Sequence, residues 1–238
     1  MSDALASGAI DGFCVGEPWN SQTVALGQGE VVTTKSLIWR SSPEKVLGMR
    51  RRWSEDNPEL LRRLLLALHE SAVWCGAPEN VDELAALLSA KHYLGVSSEV
   101  VRQGLTGDVL RSRMCDDFIN FVGGAANFPW QSHALWFLSQ MVRWNQVQLS
   151  PAAVEIARTS YRPDLYRQAL GGHGVALPGA SSKVEGALKE PTFIPASGGK
   201  LALGPDGFFD GIVFDPADIE SYLLTLARLG ALHNDSAA

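Results

Sequence analysis

The chain has 238 residues, 46% of them hydrophobic and 19% charged, which is ample for a packed core in one large domain or two small ones. With 26 acidic and 20 basic side chains its formal charge is −6, so it has no general attraction for nucleic acid. Direct nucleic-acid binding is not expected, and no stretch reaches the roughly 20 apolar residues of a membrane helix.

In chain order, Ser2 to Ser7 reads as a helix end stopped by Gly8. Ile10 to Val15 is a short apolar run between glycines, predicted as a buried strand. A helix from Pro18 through Leu26 follows, closed by Gly27 and Gly29. Glu30–Thr33 and Ser36–Trp39 read as extended. Ser41-Ser42-Pro43-Glu44 is a start signal: a serine cap, a proline in the first turn and an acid that suits the dipole. A helix is therefore predicted from Pro43, with Val46, Leu47, Met49 and Trp53 near helical spacing. Arg50-Arg51-Arg52, followed by Glu55 and Asp56, reads as a solvated helix face.

Asn57-Pro58 starts a second helix whose wide apolar face is Leu60, Leu61, Leu64, Leu65, Leu68, Ala72 and Trp74. Gly76 and Pro78 end it. Shorter helices are predicted over Asn80–Leu88 and Ser97–Gly104. Phe118 to Val122 reads as extended, punctuated by Gly123-Gly124. Pro129-Trp130 precedes a long amphipathic helix with Leu135, Trp136, Leu138, Met141, Val142 and Trp144 facing inward. Ser150-Pro151 caps a helix to Arg158, and another spans Tyr161–Leu170. Gly171 to Gly207 is predicted to be irregular, anchored by Val184, Leu188, Phe193 and Ile194. Pro216–Leu229 is the last helix.

Two places carry chemistry. Gly16-Glu17-Pro18-Trp19 follows the apolar run, with Pro18 suited to the first helical position. A strand that turns into a helix N-terminus leaves amide N–H groups and a partial positive charge beside a cleft, a place for a small anion. The plainer reading is a helix start with a packed Trp19. The second place is Lys45. In the first turn of a helix from Pro43 a lysine opposes the dipole, and a bound anion would account for it. The plainer reading there is a surface lysine lying over Trp39 or Trp53.

Catalysis has little to stand on: there is no Gly-x-Ser-x-Gly, His-Glu-x-x-His or P-loop. Asp210 and Asp215 read as turn and capping residues. Cys14, Cys75 and Cys115 and the five histidines show no metal-ligand spacing. Free buried thiols, no metal and no cofactor are expected, and the chain is not expected to be an enzyme. Met1-Ser2-Asp3 does not look like a secretory signal.

The segment Ala4 to Asn20, with its Val-Gly-Glu-Pro-Trp, resembles the nitrate/nitrite/bicarbonate substrate-binding proteins of ABC transporters and their soluble nitrate/nitrite-sensing relatives. The resemblance continues through Ile38-Trp39, Pro43-Glu44-Lys45-Val46-Leu47-Gly48, Asn57-Pro58, Phe128-Pro129-Trp130 with Trp136, Gln140 to Trp144, and Phe209-Asp210-Gly211 with Phe214-Asp215-Pro216. Family members begin well upstream of the first motif, so the chain looks like a carboxy-terminal portion. The resemblance implies an α/β chain, part of a type II periplasmic-binding-protein fold with a helix-rich C-terminal part. Residues 1–40 would be the end of the second lobe and the crossover strands, and 41–238 the return to the first lobe.

In this family the positions matching Val15, Gly16 and Lys45 lie at the oxyanion pocket, with Glu17, Pro18 and Trp19 in support. Relatives with lysine at the third position look like nitrate or nitrite binders, whereas the bicarbonate branch carries an acid there. A lysine pairs with an anion directly, whereas an acid repels one unless a cation bridges them. The implied function is nitrate or nitrite binding in transport or sensing. Partners would be an ABC transporter membrane component or a cytosolic antiterminator regulator, and the glycine-rich Gly179–Gly204 region leans toward the sensing branch. The compartment is cytoplasmic for a sensor and periplasmic for a transporter component. The remaining pocket contacts of the family precede Met1, so the chain alone is expected to bind nitrate poorly. Two alternatives stand beside this: a helical partner-binding module over residues 43–238, or the same fold with a sulfonate or pyrimidine-precursor ligand.

Overall fold

The computed structural model describes residues 1–108 and 119–235. Its elements are α1 (Ser2–Ala6), α2 (Trp19–Ala25), α3 (Lys35–Ile38), α4 (Arg51–Asp56), α5 (Pro58–Gly76), α6 (Val81–Ser89), α7 (Ser98–Thr106), α8 (Gln131–Arg143), α9 (Pro151–Ser160), α10 (Pro163–Leu170) and α11 (Ile219–Asp235). Four short strands lie between α10 and α11: β1 (Leu177–Pro178), β2 (Thr192–Ile194), β3 (Ala196–Ser197) and β4 (Leu201–Leu203). They form two antiparallel pairs, β1 with β3 and β2 with β4. The chain divides into two compact units, Met1–Leu37 with His69–Gly123, and Ile38–Leu68 with Gly124–Ala238.

In the first unit α6 packs on α7 and α7 on α2. Ser97 caps α7 by accepting from Val100 N–H at 3.3 Å, and Gly107, in the left-handed region at φ +77°, ends it. Leu84, Ala85 and Val101 are the buried apolar residues of this pair. Gly104 lies in the interior of α7, where glycine ordinarily weakens a helix. A Cβ there would stand 3.1 Å from the Glu17 carboxylate and 3.4 Å from Ser21 Oγ, so the missing side chain is what admits α2.

The second unit is built on three buried apolar clusters. Leu135 of α8 meets Phe214 and Ile219, Tyr222 and Leu226 of α11, and Trp136 Nε1 donates to the Tyr222 hydroxyl at 3.2 Å. Phe128 and Trp130 pack on Leu201 and Leu203 of β4. Ala169, Leu170 and Leu177 close over Leu65 and Leu66 of α5. Trp39 stacks on Phe208 at 4.6 Å between ring centroids, and Arg40 N–H donates to Gly207 O at 3.0 Å. Residues 38–41 are thereby stitched to the stretch before α11. Arg167 of α10 holds the β1 loop, donating to the carbonyls of Pro178, Gly179 and Ala180 and to Ser181 Oγ.

The helices that carry their own caps stand where the sequence puts them. The departures have physical reasons. Residues 10–15 make no strand ladder, since no described backbone pairs with them, and Cys14 is exposed, not buried. Pro18 is the N-cap of α2, one position before the first helical residue. Ser36–Trp39 is not extended: it holds the short helix α3 and a single bridge from Trp39 to Phe208. No helix starts at Pro43. Residues 42–50 are irregular, and the helix begins only at Arg51. Of the α5 face only Leu61 is buried, and Leu60, Leu64 and Leu68 form an exposed row four residues apart.

Met141 of α8 and Trp144, its C-cap, are also exposed. Within 171–207 Leu188 and Ile194 pack half-buried on the Phe128 cluster as expected, and Leu177, Leu201 and Leu203 are the buried anchors, while Phe193 is 74% exposed and Val184 38%. The last helix starts at Ile219 rather than Pro216, because Asp215 is used in a turn to Ala217 N–H and Asp218 accepts from Ser221 N–H. Cys115 and Phe118 fall outside the described residues, and Ile119–Val122 form no strand.

Phe214 is fully buried at the meeting point of α8 and α11. Phe214→Ala should therefore destabilise the protein by about 3–5 kcal/mol, read as a lower urea midpoint at unchanged slope.

Candidate functional site

The turn from Val15 into α2 is held from within. Asn20 Nδ2 donates to Val15 O at 2.9 Å, which fixes the turn one step before the helix. Glu17 folds back over the first turn of α2, where its Oε2 accepts from Ser21 Oγ at 2.6 Å and Ser21 N–H at 3.2 Å. Ser21 is completely buried, and Gly104 of α7 presses on this pair. Glu17 therefore serves the architecture of the turn, satisfying helix-start donors that would otherwise be stranded. Pro18 is buried beneath it, and Trp19 is 41% exposed. Among the described residues the backbone N–H groups of Val15 and Gly16 have no acceptor.

Lys45 belongs to the second unit, whereas Val15, Gly16, Glu17, Pro18 and Trp19 belong to the first. It lies in the irregular stretch before α4, so the opposition to a helix dipole does not arise. Its side chain is 83% exposed and Nζ donates to Glu44 Oε2 at 2.6 Å. A pair so open to water is weakly held and readily gives up its partner.

A second polar group went unnoticed in the sequence. Within the second unit Lys183, Glu185, Asp206, Ser132 and His133 form a buried network. Glu185 and Asp206 are almost wholly enclosed and Lys183 is 18% exposed. The Lys183 ammonium donates to Glu185 Oε2 and, at 2.8 Å, to Asp206 Oδ2. Ser132 Oγ donates to Glu185 Oε1 at 2.6 Å, and His133 Nε2 stands 3.4 Å from the same oxygen. Asp206 Oδ1 accepts from Leu188 N–H at 2.9 Å.

Burial pushes the Glu185 carboxyl up, but the His133 imidazole and the Lys183 ammonium outweigh it, and the net direction is below the usual carboxylate range. The signal in the sequence was Lys-x-Glu inside a glycine- and serine-rich stretch, where charges at alternate positions are easily taken for solvated loop. A cleft of about 360 Å³ in the same unit is lined by Arg51, Glu55, Gln131, Thr159, Tyr161, Arg162 and Asp164, with Arg162 paired to Asp164 at 2.7 Å. Among the described residues no cluster of three or more His, Cys, Asp or Glu could hold a metal ion. No described helix is long and apolar enough to cross a membrane.

The network sets two expectations. Lys183→Met leaves two buried carboxylates without a cation and should destabilise the protein by about 3–5 kcal/mol in chemical denaturation. The folded pKa of Glu185 lies below its unfolded value, so its stabilisation is present above that value and is lost as pH falls through the folded pKa. An acid titration followed by circular dichroism should show an acid-side loss of stability that is smaller in Glu185→Gln.

The NMT1-like family model matches residues 1–89. The nitrate/nitrite binding protein NrtA of Synechococcus elongatus is 34% identical over 224 residues, covering 92% of this chain and 46% of NrtA. The bicarbonate-binding protein CmpA of the same organism is 28% identical over 238 residues, covering 93% of this chain and 48% of CmpA. The nitrate import ATP-binding protein NrtC of Synechocystis is 37% identical over 174 residues, 71% of this chain and 26% of NrtC. The crystal structure of the periplasmic nitrate-binding protein NrtA from Synechocystis PCC 6803 superposes with a TM-score of 0.77 at 30% identity, covering 94% of this chain and 55% of that one. The helix-rich α/β architecture with few strands is thus part of that periplasmic-binding-protein fold. The chain is similar over nine-tenths of its length to nitrate/nitrite- and bicarbonate-binding proteins, and spans about half the length of the curated relatives it matches.

Proposed function

We propose that the chain is part of a nitrate- or nitrite-binding protein that serves an ABC transporter and is not an enzyme. The observation that carries this reading is similarity over nine-tenths of the chain to a protein named for nitrate and nitrite binding, together with a lysine at position 45. In this reading the Val15 and Gly16 amides and the Lys45 ammonium are the oxyanion contacts. The weakly held Glu44 partner of Lys45 is displaced when the anion arrives. Lysine at this position favours a bare anion over metal-assisted bicarbonate. Closure of a two-lobed protein on its ligand requires that the closed state bind the anion better than the open one.

Delivery to a membrane component is supported by two relatives named as ATP-binding proteins, one of nitrate import and one of bicarbonate transport. Sensing through a cytosolic antiterminator is the second form of the same reading, favoured by the glycine-rich 179–204 region.

Because the chain spans half of its relatives, the test uses a chimera in which the uncovered part of Synechocystis NrtA is joined to it. Nitrate at about a hundred times its Kd should stabilise the chimera by about 2.7 kcal/mol in thermal denaturation. Lys45→Glu should abolish that gain while leaving the far-ultraviolet circular dichroism unchanged. The 238-residue chain alone should show no micromolar nitrate binding by calorimetry. A gain from a sulfonate instead of nitrate would reassign the ligand. No response to any anion, with Lys45→Glu silent, would favour an interaction module without a ligand.

A further inference from the structure

The cleft of the second unit holds four charged side chains, and they are not used alike. Arg162 closes on Asp164 with both arms, Nε to Oδ1 at 2.8 Å and Nη2 to Oδ2 at 2.7 Å. The Asp164 carboxylate holds Arg162 above its ordinary range, with Glu55 a weaker contributor. That pair neutralises itself and leaves little charge for a ligand. Arg51 and Glu55 stand four residues apart on α4, the spacing at which opposite charges on a helix ordinarily meet. One residue further on, Arg52 and Asp56 do meet, at 3.5 Å, although Arg52 is 92% exposed. Among the described residues Arg51 and Glu55 form no ion pair with each other, and the Arg51 guanidinium has no partner.

The rest of the wall is neutral and polar. Gln131 and Tyr161 are half-buried, and among the described residues neither side chain has a hydrogen-bond partner. Burial pushes the Tyr161 hydroxyl up, so it keeps its proton and remains a donor. Thr159 Oγ1 gives its proton to Glu155 O at 2.8 Å and keeps lone pairs to offer.

From this we infer that the cleft binds a free neutral α-amino acid, its carboxylate on Arg51 and its ammonium on Glu55. An α-amino acid carries its two charges on adjacent atoms of one short backbone, which suits side chains whose Cβ atoms are about 5–6 Å apart. A ligand of one charge would satisfy Arg51 or Glu55 and be repelled by the other. The side chain of the amino acid then lies among Gln131, Thr159 and Tyr161. A volume of about 360 Å³ is at the small end for ligand sites and suits a molecule of this size. Every lining residue belongs to the second unit, and Lys45 is not among them. The inference therefore stands whether or not the chain takes part in binding nitrate.

Calorimetric titration of the 238-residue chain with L-alanine and L-serine, in buffer without nitrate, tests it. A Kd of about 1 mM is expected, the strength of charge contacts that remain open to water. Propionate, which is alanine without its ammonium, and ethylamine, which is alanine without its carboxylate, should each bind about tenfold more weakly or worse. Arg51→Gln and Glu55→Gln should each weaken L-alanine by about tenfold. Both positions are exposed, so the far-ultraviolet circular dichroism should not change. Lys45→Glu should leave amino-acid binding as it was, which keeps the result separate from the nitrate reading. No heat from either amino acid at up to about 10 mM overturns the proposal. So does propionate binding as tightly as L-alanine, which would make the cleft a plain carboxylate site. Full retention of binding in both α4 variants overturns it too, since the ligand would then sit elsewhere.

Discussion

One ammonium group holds the second unit to its own loop. The sequence between α10 and α11 is rich in glycine, serine and proline and has little intrinsic order, yet Lys183 places its charge between Glu185 and Asp206 at the floor of α8. Around that point Ser132, Leu188 and Phe214 complete the hydrogen bonds of both carboxylates and the adjoining backbone. Enclosed charges are tolerated only when paired and fully hydrogen-bonded, so the three side chains must assemble together or not at all. The apolar clusters around Leu135 and Phe128 pack against the same loop.

Much of the helical architecture could be read in advance, because its signals are local. Ser97 and Ser150 cap the helices that follow them by the hydrogen bonds their side chains are suited to make, and Asp210 and Asp215 sit in the turns their chemistry favours. The misreadings came where the outcome depends on distant partners. Ile10 to Val15 has the pattern of a strand, but a ladder is a property of two segments and the second is not among the described residues. Ser42-Pro43-Glu44 has the signature of a helix start, yet the chain there is committed to a different contact. Trp39 and Ser41 are bound to Phe208 and Pro205, which holds residues 39–41, just before the would-be helix start, in a non-helical path. The row Leu60, Leu64 and Leu68 has a helical period but faces water, since periodicity reports the existence of a face and not what covers it.

The candidate site was legible in part for the same reason. Glycine, proline and asparagine around Val15 announce a turn into a helix, and a turn is what forms. What the residue types could not announce is that Glu17 is spent inward on Ser21 rather than outward on a ligand. That contact closes over four residues, and Gly104 of α7, more than eighty residues away, lies against it. The buried Lys183 group was missed because charges in a polar loop carry no mark of burial until the fold encloses them.

The close seating of α2 against α7 has a bearing on how this chain can vary. A Cβ at position 104 would stand 3.1 Å from the Glu17 carboxylate, so the Glu17–Ser21 pair beside the turn at Val15 and Gly16 would have to yield by a few tenths of an ångström to admit one. Drift at a site remote in sequence can therefore reshape the turn without touching any of its residues. A methyl group on α7 would press on the Glu17 carboxylate, so substitutions at position 104 and at Glu17 or Ser21 are expected to be coupled in their effects.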